Sequence, residues 1–103
     1  MKNDTKPAPI TEFLIQEITE NEKKIVLKIE GYLADSASKL QDEKIKIDEN
    51  QKIVFVKILI KRDPKVMAMQ VIRRFSKEIP IVFPSKGKWT IRCNDKELET
   101  EIA

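Results

Sequence analysis

Along residues 24–33 apolar and polar side chains alternate. Ile25, Leu27 and Ile29 fall on one side, and Val26, Lys28 and Glu30 on the other, the period of two that a half-buried strand requires. Gly31, near the end of this stretch, marks a bend or a close backbone approach. Residues 53–60 (IVFVKILI) are the most apolar run and are rich in β-branched residues, which predicts a central strand. Val54, Val56, Ile58 and Ile60 share one face; Ile53, Phe55 and Leu59 share the other. Residues 87–94 place Trp89, Ile91 and Cys93 inward and Lys88, Thr90 and Arg92 outward. Residues 96–102 set Leu98, Thr100 and Ile102 against Glu97, Glu99 and Glu101.

Other stretches are less regular. Ile10, Phe13, Leu14, Ile15 and Ile18 follow no clean period; the segment is read as a strand, with a short helix as the alternative. A short strand is expected where Ile45 and Ile47 oppose Lys44 and Lys46. The small polar residues of 34–42, and Asp48-Glu49-Asn50, are turn material. Pro80 and Pro84 bracket residues 81–83, so that piece is short or lies at a sheet edge. Residues 63–77 admit two readings. Asp63-Pro64 has the form of a helix start, followed by Met67, Val71 and Phe75 on one helical face. Alternatively, Val71 and Ile72 lead into a strand through Phe75, Ile79 and Ile81. Short strands separated by turns every ten or so residues predict an all-β fold, an antiparallel β-sandwich of about seven strands.

A chain of 103 residues fits one domain, here 10–103, preceded by a polar, flexible N-terminal arm over 1–9. The composition, 41% apolar and 36% charged, suits a folded domain. No stretch approaches the roughly 20 apolar residues of a membrane span. The arm is not a signal peptide; the expectation is a cytoplasmic protein or an exported domain whose signal segment has been removed. Two glycines are too few for a phosphate-cradling loop. The lack of histidine removes Ser-His-Asp and Cys-His chemistry and His-containing zinc sites. Cys93, the single cysteine, has no partner for a disulfide. The chain is therefore expected to be no enzyme and to carry no cofactor and no metal.

Three segments carry a resemblance. Residues 31–37 (GYLADSA), residues 66–70 (VMAMQ) running to Phe75 and Ile79, and residues 87–94 (GKWTIRCN) occur in order over about two-thirds of the chain. Together they resemble a family of small bacterial immunoglobulin-like domains of secreted proteins and lipoproteins. In that family the segments read Gly-x-Leu-Pro-Asp-x-Cys, Ala-Met-Cys-x-Gln and Gly-x-Tyr-x-Val-x-Val-Asn-Gly. The resemblance implies an immunoglobulin-like sandwich acting as a binding or structural module. Where the family has cysteines this chain has Ala37 and Ala68, which implies two neighbouring segments without a covalent tie, as in a reducing compartment. It also implies that residues 63–77 lead into a strand, with at most one short helical turn near Pro64.

Cys93, in register with Trp89 and Ile91, is expected to be a small core residue, with Arg92 on the opposite face of the sheet. Trp89 is expected as a core anchor, and Met67 and Met69 in core or edge packing. Charge is unevenly spread: residues 1–56 hold nine basic and eleven acidic side chains, residues 57–96 eleven basic and three acidic. Lys61, Arg62, Arg73, Arg74, Lys86, Lys88 and Arg92 are the candidate anion-binding residues. Two features weigh against them: no exposed aromatic is interleaved for base stacking, and Glu97, Glu99 and Glu101 are placed to neutralise part of the set. The expected function is a non-catalytic module whose partner is another protein, and the alternative is nucleic-acid or polyanion binding through 57–96.

Overall fold

The computed structural model describes residues 5–63, 65, 67 and 69–102. It is all-β, with ten strands: β1 (Thr5–Pro7), β2 (Ile10–Thr19), β3 (Lys24–Leu33), β4 (Ser38–Leu40), β5 (Lys44–Asp48), β6 (Ile53–Lys57), β7 (Leu59–Arg62), β8 (Arg73–Val82), β9 (Gly87–Cys93) and β10 (Lys96–Ile102). One sheet has the order β2-β3-β8 and a second the order β10-β9-β6-β5; β1-β7-β4 form a small third sheet. Every pairing is antiparallel except β6 with β9.

The core follows from the alternation. Ile25, Leu27 and Ile29 of β3, with Ile79 and Ile81 of β8, pack in one cluster with Val54 and Val56 of β6, Trp89, Ile91 and Cys93 of β9, and Ile102 of β10. Each fully buried aliphatic side chain contributes about 1.5–3 kcal/mol. Trp89 is closed over on the side of the β5–β6 turn. Its ring packs 5.1 Å from Phe83, its indole N–H donates to the Ser85 carbonyl, and the Lys52 ammonium lies 5.2 Å from the ring centre.

The count exceeds seven because β1 and β4 are three-residue strands and the 53–60 run is split at Ile58. Both polar groups of the Ile58 peptide unit are diverted there. Its amide donates to Asn94 Oδ1, and its carbonyl accepts from Asn94 Nδ2 and from the Ala8 amide. Residues 5–7, placed in the flexible arm by the sequence, lie along β7, with Thr5 opposite Lys61 and Pro7 opposite Leu59. Ala8 is buried behind them.

Residues 10–19 are a strand, not a helix. Their missing period has a cause: β2 shifts register against β3 between Ile10 and Glu12 and again between Ile15 and Glu17, and each irregularity flips the alternation. Gly31 is a close approach. A Cβ there would run into the Pro9 carbonyl oxygen and the Phe75 ring.

For 63–77 the strand reading holds only from Arg73. Pro64 and Ala68 lie outside the described residues, so the helical turn near Pro64 does too; the turn at Glu20–Glu22 is 3-10 helical. Ser36 and Met69 exchange two hydrogen bonds, which makes the two alanine-bearing segments neighbours. Met67 and Met69 are not packed as expected: they are 89% and 65% exposed, because the described residues between Arg62 and Arg73 belong to no strand. Pro80 lies in an edge strand as expected, but that strand is ten residues long.

Candidate functional site

The outward face of the β10-β9-β6-β5 sheet can be assembled row by row from the pairing. Lys46, Phe55, Arg92 and Glu97 form one row across all four strands; Asp48, Ile53, Thr90 and Glu99 form the next. Lys44 stands opposite Lys57 beside the first row. Phe55 is therefore a half-buried aromatic between Lys46 and Arg92, with Lys44 and Lys57 close by. The sequence expects no exposed aromatic among the candidate cations; the pairing sets the half-buried Phe55 beside one of them, Arg92. It was hidden because the parallel β6–β9 pairing, which sets Arg92 beside Phe55, leaves no local mark in the sequence.

Phe55 forms a wall between two shallow hollows. One, of 380 Å³, is lined by Lys44, Ile45, Lys46, Phe55 and Lys57. The other, of 760 Å³, runs between β1 and the β9–β10 turn and includes Pro7, Phe55, Lys57, Leu59 and Arg92. The acidic stripe neutralises part of this face as expected. Arg92 pairs with Glu97 at 2.8 Å, and Lys88 pairs diagonally with Glu99 at 3.2 Å. Among the described residues Lys44, Lys46 and Lys57 take part in no ion pair. Net positive charge thus gathers on the β5 side and net negative charge on β10.

The seven candidate anion-binding residues do not form one patch. Arg62 reaches Asp35 at 3.7 Å, and Arg73 Nη2 donates to the Asp35 and Ser38 carbonyls. Lys61 stands between Lys39 and Thr5 in the small sheet, and Arg74 lies opposite Tyr32. Lys86 and Lys88 are at the far end of β8, roughly 30 Å away at 3.3 Å per residue. Arg92 is held by Glu97. The Asp35 carboxyl sits below its ordinary value, through the Ser38 side chain beside it and the Ser38 and Ala37 amides, with Arg62 adding a smaller pull and partial desolvation opposing. Arg62 and Arg73 thus brace the 35–38 turn. Cys93 faces the core, away from Arg92, and burial pushes its thiol up to about 12, so it is a neutral apolar side chain.

The sheet edges differ. β2 is bulged twice, and Pro80 of β8 has no amide hydrogen to offer. β1 and β4 are three residues long, and β10 carries Glu97, Glu99 and Glu101. β5 is five residues long and unbulged. Its inward side chains, Ile45 and Ile47, are still 43% and 40% exposed. Just before β5, Glu43 bonds Lys77 of β8 at 3.0 Å. The alternation of Lys44 and Lys46 with Ile45 and Ile47 predicts β5 as a short strand, but not as a site, since its lysines lie in the half of the chain where acidic side chains slightly outnumber basic ones.

Two layers of alternating strands around one apolar cluster define a β-sandwich domain with an open edge. The chain belongs to the ORF11 beta-sandwich domain family, whose family model matches residues 27–102. No curated protein matches the chain, and no solved structure does.

Proposed function

We propose that this chain is a non-catalytic binding module that takes an extended segment of another protein along β5 as an added strand. The observation that supports the reading is the state of that edge: an unbulged strand whose inward Ile45 and Ile47 remain uncovered. An added strand would satisfy the free backbone groups of β5, while its alternate side chains would meet Ile45 and Ile47 within and Lys44 and Lys46 outside. Lysines on an edge also discourage indiscriminate pairing; here they select an acidic outer row. An immunoglobulin-like sandwich suits this mode of binding.

The test is amide NMR of the whole chain titrated with a synthetic peptide alternating valine and glutamate. Shifts confined to 44–48 and the adjoining 53–57 are expected. No shift, or shifts scattered elsewhere, would remove the reading. Phe55 between Lys46 and Arg92 favours a second reading, polyanion binding on the outward face. A single-stranded oligonucleotide that shifts Phe55, Lys57 and Arg92, and loses its effect as salt rises, would put that reading first.

A further inference from the structure

The partner strand that β5 calls for has apolar side chains on the inner face, acidic ones on the outer face, and an open edge of its own. β10 meets that description. Glu97, Glu99 and Glu101 are outward, Leu98, Thr100 and Ile102 inward, and β10 is the opposite edge of the same sheet. We infer that the β5 edge is filled by β10 of a second copy of this chain. The inference rests on the edge reading proposed above and names its occupant.

Direction and face both agree. β9 runs parallel to β6, while β5 and β10 each run antiparallel to their neighbour, so β5 and β10 point the same way at the two edges. A second copy displaced along the sheet therefore brings its β10 parallel to β5, with the outward faces on the same side. Placing Lys44 and Lys46 beside Glu97 and Glu99 also places Ile45 beside Leu98. The one like-charge neighbour in that register is Asp48 beside Glu101, where β5 ends and Asp48 already accepts the Gln51 amide.

Of the two-fold alternatives, two β10 edges oppose glutamates to glutamates, and like charges directly across a pair of strands destabilise it; two β5 edges in full overlap set Lys46 against Lys46 and Lys44 against Asp48, and leave β10 uncovered. The β5–β10 contact is head-to-tail, which leaves one β5 and one β10 free at the ends and lets further copies add.

The experiment is sedimentation of the full chain over a range of concentrations, alone and as two charge-reversed forms, Lys44→Glu/Lys46→Glu and Glu97→Lys/Glu99→Lys. The wild-type chain is expected to at least double its weight-average mass over the 12.0 kDa monomer as concentration rises. Each reversed form should remain monomeric, and an equimolar mixture should regain the association, since every contact in it is again opposite in charge. In parallel, amide signals of 44–48 and 96–102 in the wild-type chain should broaden together with concentration, a readout that needs no variant to fold. A wild-type chain that stays monomeric, or reversed forms that associate as it does, overturns the inference. If the valine–glutamate peptide still shifts β5 while the chain stays monomeric, the edge reading stands and only the second copy is wrong. If the peptide moves nothing, the edge reading itself fails.

Discussion

The side chain of Asn94 holds backbone groups of two other segments. Nδ2 donates to the carbonyls of Ala8 (2.8 Å) and Ile58 (2.9 Å), and Oδ1 accepts the Ile58 amide (3.0 Å). Its own backbone is left-handed, φ 53°, a conformation asparagine tolerates better than most residues. Asn94→Ala removes all three side-chain bonds at roughly 1 kcal/mol each, and leaves partly buried partners unmatched. A loss of about 2–4 kcal/mol in urea unfolding is expected, and a loss under 1 would refute the clamp. The need for an amide here was not readable beforehand. Asn94 stood out only as the end of a resembling segment, and its partners are 36 and 86 positions away.

At the scale of elements, β3, the 53–60 run, β9 and β10 were legible because each keeps one alternation from end to end. β2 was read as a strand with a short helix left open, because its two bulges break the period. The exposed methionines show the same limit from the other side: an apolar residue signals burial only if its segment joins a sheet. The candidate edge was half legible. The alternation of residues 44–47 was visible, but whether a neighbour covers Ile45 and Ile47 depends on tertiary packing, which leaves no local mark. The element whose standing changes most is β1. Deleting residues 1–7 removes its pairing with β7, and the expected result is a loss of about 1–3 kcal/mol with a visible fall in melting temperature. An unchanged melting curve would restore residues 5–7 to the flexible arm.

For the molecule as a whole, Cys93 is a reporter placed at the centre. It lies on β9, inside its sheet, with β10 on one side and β6 on the other, and is fully buried. With its thiol pushed up to about 12, almost no thiolate exists in the folded chain near neutral pH, and thiolate is the reactive form. A thiol reagent should therefore label Cys93 at the rate of global unfolding, rising with urea in step with the loss of strand signal. Rapid labelling of the folded protein would mean that the β9 region opens by itself. The measurement also serves the assembly experiment, because an added copy on the β5 edge should leave a globally gated rate unaffected except through overall stability.

The bond from Asn94 to the Ala8 carbonyl has a consequence for how the protein is made. It joins residues 86 positions apart, so a chain growing on the ribosome adds all of the intervening residues after Ala8 before the clamp can close. At 5–20 residues per second that interval is roughly 4–17 s. Until then the first strand has β7 to lie against, but no Asn94 to fasten the turn behind it, and the last strand of the sheet has yet to be translated. The turn behind the first strand is fastened by a residue that is made 86 positions later.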